Sequence, residues 1–274
     1  GSEMCIRDSG TVIGIYISGT TVGGLFGRLV VSAITDFVSW RMGLIVIGIL
    51  YLAVGIAFFM LLPKPKYQRQ RQSGGLQLIK TFHTALANKK LLWIYLVAFL
   101  IMGSFVAVFN FISYVLLAPP YSLSQTVVGL LFVVYLFGTF SSTYMGRLSD
   151  QHGNGRVLIL GLLIMLTGGL LTLLQPLVFK FIGLAIFTFG MLGSHSVACG
   201  WVGKLNHGDK AQSSSMYMFF YYAGASSLGT LGGVFLESYG WSGVIGMVAA
   251  AVIICLLVVV RLELAVSQHL LWHH

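Results

Sequence analysis

The stretch MGRLSDQHGNGR, residues 145–156, is a small island of charge and glycine in a very apolar chain. The 54 residues before it, Leu91 to Tyr144, contain no Asp, Glu, Lys or Arg. The 23 residues after it, Val157 to Phe179, contain none either. Over all 274 residues the chain is 57% hydrophobic and 8% charged. A soluble domain carries roughly a quarter charged residues, so a soluble fold of this composition could not cover its own surface. The lipid bilayer is the solvent that suits it. About 20 apolar residues cross the hydrocarbon core as a helix, and backbone groups in lipid must be satisfied within the segment. Strands of a membrane barrel would place polar residues at alternate positions, which these runs do not. The fold class read from this is an all-α integral membrane protein.

Eight spans are expected, near 10–36, 42–62, 91–117, 124–146, 157–175, 181–203, 212–236 and 243–261. Lys and Arg orient them, because short cytoplasmic loops carry the excess of positive charge. The linker 63–90 holds seven of the 16 basic residues and no acidic one. Counting spans from a cytoplasmic linker puts turns 147–156 and 204–210, and Arg261, on the same side. The opposite loops hold Arg41 and Lys180. The formal charge of +9 therefore reads as topology, and no nucleic-acid partner is expected. Cys5, Cys199 and Cys255 have no metal-ligand spacing, and the last two fall in apolar runs where a thiol packs as a small residue.

An internal repeat organises the spans. Sliding the first segment 201 residues forward puts Tyr16 on Tyr217, Gly23 on Gly224, Asp36 on Glu237 and Trp40 on Trp241. Each segment is an uncharged glycine-rich run, then an acid, then a Trp, then another span. Spans one and two then correspond to spans seven and eight, and four further spans are expected upstream of residue 10. Residues 1–9 are too polar for a signal peptide and read as a leader foreign to the fold.

With two spans before a basic linker, six after it and this repeat, the chain resembles the major facilitator superfamily. That family has two six-helix halves related by an axis along the membrane normal. The resemblance implies this division: 10–62 as the last two helices of the first half, 63–90 as cytoplasmic linker, 91–262 as the second half and 263–274 as a cytoplasmic tail. About eight of twelve helices are then present. The opening stretch resembles the family's cytoplasmic turn motif through Gly146, Leu148, Asp150 and Gly153, with Arg147 and Arg156 keeping the turn basic. Gln151 and Asn154 stand where that motif has basic residues. Gly146 would let two helices approach, Gly153 would allow a positive φ, and Asp150 would face the positive end of a neighbouring helix. The resemblance makes that neighbour the first span and the turn a latch between the halves. The plainer alternative is that these charges cap a short loop and set topology. In the first span, Gly19, Gly23 and Gly27 recur every fourth residue on one face. This is similar to the glycine face of the family's proton-coupled exporters, although Gly24 stands where those have proline. The alternative is a close-packed helix interface.

A charged or ionisable group at membrane depth is costly and often functional. Arg28 lies about eight residues, or ~12 Å, from the outer end of span one. It would either bind an anion or carboxylate in a cavity or pair with a polar group on one of the helices expected upstream of residue 10. His195, in GMLGSHSVACG, could carry a coupled proton. It could equally be a satisfied histidine beside Ser194 and Ser196. Phe109, Asn110 and Tyr114, with Ser113, form the expected solute contacts on span three, and Tyr217, Tyr221 and Tyr222 are further candidates. Core packing is the ordinary role of such aromatics. Asp36, Trp40, Glu237 and Trp241 belong to the outer interface, where Trp anchors helices.

An intramembrane enzyme would need a nucleophile with a base, or a metal cluster. Ser194, His195 and Ser196 are adjacent on a helix and point to different faces, so no enzyme is expected, and no metal or other cofactor. The resemblance implies a monomeric multi-pass transporter of the bacterial inner membrane, with the bilayer, a small organic solute and protons as its partners. Proton-coupled export is the expected mode, with import or facilitated passage of a sugar or metabolite as the alternative. A chain holding eight of twelve helices is not expected to transport by itself.

Overall fold

The computed structural model describes residues 23–24, 26–61, 88–205 and 210–271. Among them every regular element is helical. They are α1 (26–37), α2 (Trp40–Leu61), α3 (Lys89–Leu117), α4 (Gln125–Leu130), a 3-10 turn (Leu131–Val134), α5 (Tyr135–His152), α6 (Asn154–Leu171), α7 (Leu177–Leu205) and α8 (Lys210–Leu271). Among the described residues, six helices are long and apolar enough to cross a membrane, with α4 through α5 counted as one. The last of these, 53 residues from Gln212 to Leu264, holds two crossings, because Gly240 leaves helical geometry at φ 65°, ψ −158°. Spans two to eight of the sequence reading are thus present. Of span one, residues 10–22 lie outside the described residues, as do Gly19, Tyr16, the leader and most of the linker.

The described residues form two compact units. One contains those before Ser73 together with Leu116–Val133; the other contains Gly74–Val115 and Val134 onward. In the first, α1 and α2 make a hairpin broken at Val38 and Ser39. The Ser39 hydroxyl accepts from Met42 N at 3.3 Å and so caps α2. Only Gly43 and Ile47 of α2 are buried; its remaining apolar surface suits a lipid-facing helix. All of α4 also belongs to this unit. Its Gly129 leaves room for Ser32 of α1.

In the second unit, glycines let helix backbones touch. A Cβ on Gly168 of α6 would lie 2.7 Å from Gly183 O of α7, and one on Gly190 would lie 2.6 Å from Gly161 O. The two pairs sit seven residues apart on each helix, so α6 and α7 meet along one seam. Likewise, a Cβ on Gly103 of α3 would come 2.7 Å from Gly224 O of α8. Tyr95, Phe109, Phe187 and Tyr217 are the largest fully buried side chains around these seams.

Two sequence expectations are corrected. The turn expected at 147–156 is far shorter, since α5 runs to His152 and α6 begins at Asn154. Gly153 alone departs from the helix, at φ 90°, ψ 146°; a side chain there would be strained by conformation although it has open space. Arg41 and Lys180, expected in loops, lie inside α2 and α7. Lys180 is 4% exposed. Its ammonium donates to Thr172 O at the end of α6, where carbonyls are orphaned and a cation is favoured. Trp241, expected at the outer interface, also donates there, its indole N–H reaching Thr172 O and Oγ1, both at 3.1 Å.

The local pattern behind the repeat reappears within each unit. A helix carrying Asp36 ends three residues before Trp40, and a helix carrying Glu237 breaks one residue before Trp241.

Candidate functional site

α7 and the first arm of α8 bring three polar side chains together inside the second unit. His195 Nδ1 lies 2.9 Å from the Tyr217 hydroxyl, which is also 3.4 Å from the His195 carbonyl oxygen. The Tyr221 ring lies against the imidazole with centroids 4.4 Å apart. Tyr217 is fully buried, Tyr221 is 8% exposed and Tyr222 is 62% exposed, so the three tyrosines do not act as one group. The hydroxyl carries one proton. Either it donates to Nδ1, or Nδ1–H donates to it and it donates to the carbonyl oxygen. A proton taken up by the imidazole selects the second arrangement, because both ring nitrogens are then donors. His195 therefore has a partner that accommodates both protonation states without moving. The expected serine partners are not used. Ser194 Oγ is buried against Gly161 without a hydrogen-bond partner.

The expected solute contacts on α3 separate. Phe109 is 1% exposed and packs on Phe105 at 4.7 Å and on Tyr135 at 4.9 Å between ring centroids. It is a core residue of the second unit. Asn110 is exposed and Tyr114 is 65% exposed. One helical turn apart, these two share a face, and Phe109, the neighbour of Asn110, does not.

In the first unit, Arg28 lines a cavity of about 380 Å³ with Gly24, Gly27, Ser32, Tyr51 and Phe132. Its guanidinium lies 4.2 Å from the centre of the Phe132 ring, a cation–π contact. Gly27 is pressed by the Tyr51 hydroxyl, and that hydroxyl donates to Gly23 O at 3.3 Å. A Cβ on Gly23 would meet open space. The glycine face thus packs on α2 at Gly27, while Gly23 meets it through its carbonyl oxygen.

Asp36 has a role the sequence did not reveal. Its carboxylate accepts from Gln125 N at 2.9 Å and Thr126 N at 2.6 Å. It caps α4 from 89 residues away, satisfying donors that a helix start leaves orphaned. Asp36→Ala should speed amide exchange at Gln125 and Thr126 several-fold while residues 154–171 keep their wild-type rates. Hydrogen–deuterium exchange by mass spectrometry checks this.

At the turn motif, Asp150 pairs with Lys204 at 3.0 Å, and the same ammonium donates to Asn154 Oδ1 at 3.2 Å. Lys204 comes from the last turn of α7. Both partners of the ion pair are exposed, so it adds little stability. Glu263 of α8 rests on Gly155, over the amino terminus of α6, where a carboxylate is favoured. Arg147 and Arg156 are exposed. A Cβ on Gly146 would make ordinary contact, 3.4 Å from Ser196 Oγ, so space does not require glycine there. The end of span one that Asp150 was expected to face lies outside the described residues.

The sequence matches the family model of the Major Facilitator Superfamily over residues 6–121 and 103–269. The chain belongs to the major facilitator superfamily. Among its relatives is the Bacillus subtilis (strain 168) protein named "Uncharacterized MFS-type transporter YybF". It is 40% identical over 258 residues, 93% of this chain and 63% of that protein. The Escherichia coli (strain K12) "Inner membrane transport protein YnfM" is 41% identical over 251 residues, covering 92% of this chain and 60% of its own length. A Buchnera aphidicola subsp. Schizaphis graminum protein named "Uncharacterized transporter" is 36% identical over 92% of this chain and 61% of its own. This superfamily member thus spans 60% to 63% of the length of these relatives. They are named as transporters and none as an enzyme. The chain is a multi-pass membrane protein of that superfamily.

Proposed function

We propose that this superfamily member is, or is the larger part of, a secondary active transporter. It exports a small neutral or amphipathic organic solute from the bacterial cell by alternating access, driven by protons. The observation that carries the reading is His195 paired with Tyr217 inside an apolar helix bundle. An ionisable group at that depth is expensive to keep. A hydroxyl partner able to serve both protonation states gives it a use as a proton carrier. Arg28, in its own cavity, is a second charge available to an anion or to a coupled carboxylate. Asn110 and Tyr114 are the solute contacts retained on α3. Residues 91–262 act as one half of the transporter, 10–62 as the end of the other, and 63–90 as their cytoplasmic linker. The protein works as a monomer in the inner membrane, with the tail 263–274 also cytoplasmic. The motif Gly146, Arg147, Leu148, Asp150, Gly153 and Arg156 gates the cytoplasmic side, with Asp150 as the acceptor of the latch.

The test uses everted membrane vesicles from cells expressing the complete reading frame that contains these residues. Adding a transported solute should discharge a preformed proton gradient, and a protonophore should abolish solute accumulation. Asp150→Asn should slow both. Saturable flux indifferent to the protonophore would replace export by facilitated passage. Full activity in Asp150→Asn would remove the gate.

A further inference from the structure

We propose that a groove between the start of α3 and the end of α8 binds the headgroup of an anionic phospholipid drawn from the surrounding bilayer. The groove encloses about 450 Å³ and is lined by Lys89, Lys90 and Trp93 of α3 and by Ile254, Leu257 and Arg261 of α8, among others. No Asp or Glu lines it. Among the described residues, none of its three cations is engaged in an ion pair. The site does not depend on the transport reading; it requires only that the chain crosses a membrane.

The lining is ordered by depth. Trp93 follows Lys89 and Lys90 by one turn, so the ring lies on their face of α3 and deeper along the span. On α8, Ile254, Leu257 and Arg261 recur at helical spacing and form one stripe. Ile254 lies seven residues, or ~10 Å, deeper than Arg261. Trp93, Ile254 and Leu257 are 45%, 45% and 62% exposed. Both helices therefore offer apolar surface that leads up to cations. Arg261 also stands twenty residues past Trp241, a rise of ~30 Å, which is the thickness of the hydrocarbon core. Its guanidinium is at the level of the lipid phosphates if Trp241 is at the opposite interface.

This pattern distinguishes a lipid from a soluble anion. A free phosphate would have no use for the exposed apolar stripe. A diacyl lipid places its phosphate among Lys89, Lys90 and Arg261 and its chains along Ile254 and Leu257, with Trp93 at the boundary where its amphipathic ring is favoured. Basic pockets between membrane helices are suited to acidic headgroups.

The chain, purified in a mild detergent, is titrated separately with phosphatidylglycerol and phosphatidylcholine, and bound lipid is counted by native mass spectrometry. Phosphatidylglycerol should bind on the order of tenfold more tightly than phosphatidylcholine, as expected for several basic residues acting on one headgroup. The preference should vanish in the Lys89→Gln, Lys90→Gln, Arg261→Gln variant. It should survive in Lys89→Arg, Lys90→Arg, which keeps the charge, and in Arg147→Gln, Arg156→Gln, which removes cations elsewhere. Equal affinity for the two lipids, or an unchanged preference in the glutamine triple variant, would overturn the assignment. Displacement of phosphatidylglycerol by millimolar inorganic phosphate would also overturn it, by making the site one for a soluble anion.

Discussion

Leucine in place of Gly168 should leave almost no folded, monodisperse protein after extraction from the membrane. A Cβ at that position runs into the Phe187 backbone nitrogen and lies 2.7 Å from Gly183 O. Those atoms belong to α7 itself, so relief requires the two helices to separate. Separation would also open the companion contact of Gly190 with Gly161 O at 2.6 Å. Overpacking that side chains can absorb typically costs about 1–3 kcal/mol. A clash with backbone should exceed that range, because no rotamer change relieves it. Gly200→Leu is the matched control, on α7 but with nothing within 4 Å of its Cβ position. It should keep a wild-type elution profile and melting temperature. Fluorescence-detected size-exclusion chromatography with a thermal ramp reads both variants. Equal behaviour of the two would show that the α6–α7 seam is wider than described.

Glutamine at position 195 should uncouple transport from the proton gradient without abolishing solute passage. The side-chain amide can still hydrogen-bond to the Tyr217 hydroxyl, which in the native protein lies 2.9 Å from the imidazole, but it cannot titrate. In proteoliposomes containing the complete protein, exchange of labelled for unlabelled solute across the membrane should continue near its original rate. Uphill accumulation driven by a pH gradient should fall by roughly 100-fold or more, as expected when a positioned proton-transfer group is removed. Tyr217→Phe should retain uphill transport but shift its pH dependence, because the hydroxyl that stabilises the imidazole is gone while the ring still fills the core. His195→Gln with native uphill rates would assign the histidine to packing alone. Loss of exchange together with accumulation would point to a folding defect, which the melting temperature of the same sample identifies.

The spans were legible because membrane crossing depends on a one-dimensional quantity, the length of an uncharged run. Lys89–Leu117 and Leu177–Leu205 differ from the expected 91–117 and 181–203 only at their ends. Gly153 was legible for a related reason. Positive φ is a property of one residue, and the break between α5 and α6 falls on it. The length of that turn was not legible, since polar residues at a membrane surface can remain helical through His152. The candidate site was harder to read. Phe109 and Asn110 are neighbours in sequence, but α3 sends one into the core and the other out of it. The 201-residue repeat placed the breaks before Trp40 and Trp241 but carried no information about what Asp36 would cap. His195 stood out as the ionisable residue of an apolar run, and nothing near it in sequence named Tyr217 as its partner.

By itself, then, the sequence determined that this is an all-α membrane chain, where its crossings lie, and that the chain resembles the major facilitator superfamily. Hydrophobic length, charge placement and residue order act locally along the chain, so folding was not needed to read them. Only the tertiary structure decided which glycines face which backbones, that Lys180 and Trp241 converge on Thr172, that Lys204 reaches Asp150, and that Lys89, Lys90 and Arg261 share one groove. Those pairings join residues that are distant in sequence. They are set by how helices rotate and cross, and small residues and buried polar groups choose among rotations that apolar periodicity alone leaves nearly equal in energy.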